Sequence, residues 1–179
     1  FLEMDTFDHS DETMATILAS DATDGILCDI GCPYIFQGVR YNCRMLCLDR
    51  KILLIRPKMY LADDGNYREK RFFSSWSDKD RLHEARLSDR MKAVTGQSTA
   101  PFGIGVIVTK ETVIACEVCE ELWAASSPST NFCLGGVEII GNGSGSHHQL
   151  RKLDTRIHTH SHTHTIGRWT HARTHTHTI

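Results

Sequence analysis

With 179 residues, 40% of them hydrophobic and 23% charged, the chain has the size and composition of one globular domain, and not those of a disordered or fibrous chain. Its formal net charge of −2 gives no electrostatic ground for a nucleic-acid or anionic-membrane partner. No apolar run approaches the roughly 20 residues that span a bilayer, and acidic residues crowd the first dozen positions, where a secretory signal needs a basic and then an apolar stretch.

Ser10 is a suitable N-cap for a short helix over residues 11–19, with Asp11 and Glu12 placed for the helix dipole. Residues 25–36 read as a buried strand entering a turn at Gly31 and Pro33. Residues 39–49 and 51–56 read as a β-hairpin about Asp49-Arg50, with Ile52-Leu53-Leu54-Ile55 fully buried and Pro57 ending the strand. Residues 60–90 are polar and aromatic, and are expected to form a long surface loop with one short helix over 78–90. Loops of that length are usually functional. A second hairpin is expected from 103–108 through a turn near Lys110-Glu111 to 112–118. A helix is expected to begin over 120–125. Residues 136–140 read as an apolar strand running into a Gly/Ser turn at 141–146. Strands, hairpins and a few helices in this order suggest an α/β layered sandwich.

Three segments combine chemistry with a strand end. Lys58 follows a buried Ile/Leu strand, where a partly desolvated ammonium can stabilise an oxyanion. Cys119, in Cys119-Glu120-Glu121-Leu122-Trp123, is placed where a strand gives way to a helix, a setting that favours a thiolate nucleophile. The turn from Asn142 to Ser146 offers backbone amides and hydroxyls to a polar ligand. Each signal is weak alone, since strand-end lysines are usually solvated and strand cysteines usually inert.

Longer runs carry a resemblance. Residues Val39-Arg40-Tyr41-Asn42-Cys43-Arg44, the stretch Arg50 to Met59, Gly65-Asn66-Tyr67-Arg68-Glu69, Pro101-Phe102-Gly103, Cys119 to Trp123, Gly136 to Ile140, and Ser144-Gly145-Ser146-His147 on to Arg156 follow one another in family order. Together they resemble the N-terminal glutaminase part of glutamine-dependent NAD synthetases, a domain of the nitrilase, or carbon–nitrogen hydrolase, superfamily. The resemblance covers residues 1–157. It implies a partial nitrilase-type α-β-β-α sandwich over those residues, and a disordered C-terminal tail is expected beyond them from composition. It also implies a Glu–Lys–Cys mechanism in which Cys119 attacks the glutamine carboxamide and Lys58 stabilises the oxyanion. Glu69 matches the supporting second glutamate. Glu120 and Ser144 match positions that hold the glutamine α-amino end, and Tyr67 lines the pocket.

The triad's own glutamate has no match: in the family it lies upstream of the position of Phe1. General base catalysis is worth about 10²–10⁴-fold, so this chain is expected to be inactive by itself. No cofactor is implied for glutamine hydrolysis. ATP and Mg belong to the synthetase part, whose Ser-Gly-Gly-x-Asp-Ser loop does not occur here. Glutamine is the implied small-molecule partner, and homo-oligomers are implied for full-length members only.

Residues 158–179 are low complexity. Seven of the eleven histidines lie there, mostly alternating with Thr. CAC and ACA encode His and Thr, so a translated CA repeat is the expected origin, and no part in the native fold is expected. Seven cysteines, an odd number in a chain that is not small, speak against a secreted disulfide framework and for free thiols in a reducing, cytoplasmic setting. Cys28-x3-Cys32 and Cys43-x3-Cys47 fall in the zinc-ligand spacing range, but cysteine is commonly a fully buried residue, so no metal site is expected. Cys116 and Cys133 read as structural, and His147 and His148 as flanking the pocket. Two alternatives stand beside the glutaminase: another nitrilase-superfamily amidase, and a non-catalytic metal-binding fragment built on the His tail.

Overall fold

The computed structural model describes residues 5–146, 150–155, 157–158 and 176–178. The chain divides into two compact units, Phe1–Gly105 and Val106–Ile179.

The first unit opens with helix α1, Thr6–Ala19. It starts before the expected Asp11, and Ser10 lies inside it instead of capping it. Long-range partners account for the earlier start. The Arg40 guanidinium stands 5.3 Å over the Phe7 ring, and Asp8 pairs with Arg90. The buried face is Met14, Ala15 and Leu18, a helical repeat, and it packs on strand β1, Cys28–Phe36. Contrary to expectation, β1 does not turn at Gly31 and Pro33. It continues to Phe36 and turns at Gln37-Gly38, whose φ values of 51° and 80° suit the tight hairpin turn that matches strand twist. β1 is an edge strand, the place where proline is tolerated.

Strand β2, Val39–Leu48, pairs antiparallel with β1 and with β3, Lys51–Pro57. The Asp49-Arg50 turn is where the sequence puts it, with φ of 48° and 63°. Ile52, Leu54 and Ile55 are almost completely buried, and Leu53 is half-buried. Residues 78–90 do not form the expected helix. The Asp78 carboxylate binds the His83 ring and Arg81 Nε at 2.8 and 3.0 Å, and these bonds hold its pKa down to about 2. Strand β4, His83–Arg86, follows. Helix α2, Asp89–Thr95, begins only after Ser88, whose hydroxyl accepts from Met91 N. Strand β5, Thr99–Phe102, pairs antiparallel with β4 and parallel with β3. The sheet order is β1-β2-β3-β5-β4. Its core is aromatic: the Phe36 and Phe102 rings stack at 4.2 Å, with Trp76 edge-on to Phe102 at 5.1 Å.

The second unit contains the hairpin β6, Val106–Val108, and β7, Val113–Val118. A single 3₁₀ segment, Cys119–Trp123, replaces the expected helix. Helix α3, Pro128–Leu134, then crosses to β8, Ile139–Gly143, which lies parallel to β7. Gly141 to Gly143, expected in a turn, therefore belong to a strand. Thr176–Thr178 form β9, parallel to β6, so that piece of the His/Thr segment is paired. The rest of the expected tail beyond His158 lies outside the described residues. Each unit thus combines one sheet with helices, the mixed α/β composition that the resemblance implies.

Candidate active site

Lys58 stands directly after β3. Its backbone N–H donates to Asn42 O at 2.8 Å, and its carbonyl accepts from Trp76 N at 3.0 Å. The chain is therefore pinned on both sides of it, and the residue is 2% exposed. Lys58 Nζ donates to Glu69 Oε2 at 2.6 Å. The same oxygen accepts Ala62 N at 2.8 Å, and Oε1 accepts Asn42 Nδ2 at 2.6 Å. Glu69 itself heads a three-residue 3₁₀ turn, Glu69–Arg71. A buried ammonium costs several kcal/mol unless it is paired and hydrogen-bonded; Glu69 supplies that pairing. Asn42, which sequence reading did not single out, completes the set. Tyr67, two residues before Glu69, is half-buried and donates its N–H to Asp64 O at 2.9 Å.

In the second unit Cys119 has φ of +46°, a region that costs a non-glycine residue of order 1–3 kcal/mol and that clusters at functional sites. The other described non-glycine residues with positive φ are Gln37, Asp49 and Arg50, in hairpin turns, and Arg151, in a turn after β8. Cys119 turns no hairpin. The conformation is held by Glu121, fully buried, whose Oε2 accepts the Val118 N–H at 2.7 Å. Cys119 and Glu120 are both half-buried. β7 and β8 run in parallel with Val118 opposite Gly143. Cys119 and Ser144 each come one residue after these paired positions, at the carboxyl ends of adjacent parallel strands, where α/β sheets bind ligands. Ser144 is exposed, and its Oγ lies 3.0 Å from Ser146 Oγ and accepts from Ser146 N. His147 and His148, expected to flank the pocket, lie outside the described residues.

Two groups of cysteines are placed by the first sheet. Cys28 faces Cys47 and Cys32 faces Cys43 across β1 and β2. Burial pushes the Cys32 and Cys47 thiols up to about 12. Among the described residues no three His, Cys, Asp or Glu side chains gather as a metal site. Two clefts of about 420 and 520 Å³ flank α1, lined by residues such as Met14, Cys32 and Pro33. Neither contains a predicted site residue.

The first unit thus holds a buried lysine–carboxylate pair, and the second a cysteine with left-handed backbone at a strand end. Solved structures agree on the fold. A glutamine-dependent NAD+ synthetase from Cytophaga hutchinsonii matches 87% of this chain and 23% of that one, with a TM-score of 0.68 and 23% identity. One from Acinetobacter baumannii, in complex with ADP, matches 90% and 25%, with a TM-score of 0.67 and 17% identity. In sequence, glutamine-dependent NAD+ synthetases are 53% identical in Oryza sativa subsp. indica and 50% in Homo sapiens, each over 157 residues and 88% of this chain. No family model matches the chain. At this identity the chain is homologous to a segment of the glutamine-dependent NAD+ synthetases, and it spans 21–22% of the length of the curated relatives it matches.

Proposed function

We propose that this segment serves the glutamine-hydrolysing step of a glutamine-dependent NAD+ synthetase, with Cys119 as nucleophile. The Cys119 sulfur attacks the side-chain amide carbon of glutamine and forms a C–S bond. The carbonyl electrons move to oxygen, where the Lys58 ammonium is the assigned donor. Collapse breaks the C–N bond; the nitrogen takes the proton that the Cys119 thiol gave up and leaves as ammonia. Water then cleaves the γ-glutamyl thioester, giving glutamate and the free thiol. Glu69 holds Lys58 Nζ in place through its 2.6 Å hydrogen bond, and Tyr67, Glu120 and Ser144 hold the substrate. The ammonia would serve the ATP- and Mg-dependent amidation of nicotinic acid adenine dinucleotide by a part of the enzyme that these 179 residues do not match. A cytoplasmic setting and glutamine as the partner belong to the same reading. No helix among the described residues is long and apolar enough to cross a membrane.

The observation that carries the reading is the left-handed backbone of Cys119 at the end of β7, inside a stretch about half identical to these enzymes. No residue here matches the triad glutamate, so the chain assayed by itself is expected to release ammonia from glutamine at the uncatalysed rate. Supplying the upstream glutamate segment and the rest of the domain is expected to restore turnover, and Cys119→Ala to abolish it. Robust activity of the 179-residue chain that depends on Cys119 would refute the assignment of the base to a residue outside it.

A further inference from the structure

Glu117 has a place in the site that sequence reading did not notice. It is fully buried in β7. Its Oε1 accepts Asn142 Nδ2 at 3.0 Å. Its Oε2 accepts Ser127 Oγ and Ser129 N, both at 3.3 Å. The two serine hydroxyls lie 2.6 Å apart. Every one of these partners is neutral. A carboxylate buried among neutral donors is an expensive way to fill a strand position, because an apolar side chain of similar volume carries no desolvation cost. Its neighbours Ala115, Cys116 and Val118 show that the strand is otherwise packed with small or apolar residues.

The return on that cost is geometric. Glu117 stands two residues before Cys119, and its register partner on β8, Asn142, stands two residues before Ser144. Ser127 and Ser129 open α3, the crossover between those strands. One carboxylate therefore ties the strand leading to the cysteine, the strand leading to the serine, and the helix joining them. We propose that Glu117 is a positioning residue that locks the Cys119 turn against the end of β8. The proposal rests on Cys119 being the nucleophile, but its test needs no amide hydrolysis.

The test is alkylation of the full 179-residue chain by iodoacetamide, read peptide by peptide by mass spectrometry. Half-buried Cys28, in the other unit, serves as the internal reference. In Glu117→Ala the released turn is expected to raise the Cys119-to-Cys28 rate ratio about fivefold or more, the factor that goes with losing hydrogen bonds of ordinary strength. The exchange Glu117→Gln/Asn142→Asp keeps the cross-strand bond with donor and acceptor reversed, and leaves the glutamine carbonyl to accept from the serines. It is expected to return the ratio close to that of the unmodified chain. If Glu117→Ala does not fold by circular dichroism, Asn142→Ala, which removes only the cross-strand bond, is expected to raise the ratio in the same direction. An unchanged ratio in the alanine variant that folds, or an exchange variant that stays as reactive as it, overturns the proposal. If these ratios hold while the chain completed with the upstream glutamate segment and the rest of the domain still hydrolyses no glutamine, that counts against the glutaminase reading alone.

Discussion

Glu69→Ala isolates the buried pair. The substitution removes the acceptor of three donors: Lys58 Nζ, Ala62 N and Asn42 Nδ2, at 2.6, 2.8 and 2.6 Å. The Lys58 side chain is 3% exposed and that of Glu69 13%, so the ammonium left behind cannot regain water without unpacking the end of β3. Breaking a buried pair in this way costs about 3–5 kcal/mol. The partial exposure of Glu69 places this pair near the lower figure, about 3 kcal/mol. With a urea slope of about 1–3 kcal/mol/M, the unfolding midpoint is expected to fall by roughly 1–3 M. Fluorescence of Trp76, 8% exposed in the same unit, reports the transition. Lys58→Met/Glu69→Leu removes both charges and is expected to recover at most about a third of the loss. The remainder stays because Ala62 N and Asn42 Nδ2 still lack an acceptor, and an orphaned buried donor costs about 1–3 kcal/mol. A Glu69→Ala cost below about 1 kcal/mol, the range of exposed pairs, would show that Lys58 is hydrated, and the reasoning from burial would fail.

Other outcomes follow from single contacts. Phe102→Ala, at the fully buried centre of the aromatic cluster, is expected to cost about 3–5 kcal/mol by the same unfolding assay. The Cys32 and Cys47 thiols, pushed from 9.0 up to about 12 by burial, bind protons more tightly folded than unfolded. Their contribution is fully present below pH 9 and is lost as pH rises from 9 toward about 12, so urea midpoints should be level through neutral pH and drop across that alkaline window. Cys32→Ala/Cys47→Ala should shallow the drop. Ser88→Ala removes the acceptor of Met91 N at the start of α2 and the donor to Asp11 Oδ2, and is expected to cost about 0.5–2 kcal/mol by the same titration.

The sequence was most readable where local chemistry and the final structure agree. Asp49-Arg50 between two apolar runs announces the β2–β3 hairpin, and the Ile/Leu run before Pro57-Lys58 announces a desolvated lysine. Reading failed where distant partners decide. Residues 83–86, His-Glu-Ala-Arg, look helical by composition, yet they form β4 because Ala85 packs opposite Ala100 at the sheet edge. The start of α1 depends on Arg40 and Arg90, far along the chain. Gly141 to Gly143 read as a turn because glycine dominates them, while pairing with β7 makes them a strand. Lys58, Cys119 and Glu69 were given roles from motif runs, whereas Asn42, although inside one of those runs, and Glu117 were given none. A signal for Glu117 was nonetheless present: an acidic residue inside the otherwise apolar run Val113–Val118 must be exposed or specifically bonded.

The central claim is that Cys119 is the group that attacks the glutamine amide. A diazoketone analogue of glutamine, incubated with the chain and followed by peptide mass spectrometry, tests it most directly. The adduct is expected on the peptide containing Cys119, suppressed by excess glutamine and absent in Cys119→Ala. An adduct on another cysteine, or labelling of Cys119 that glutamine does not suppress, would contradict the account.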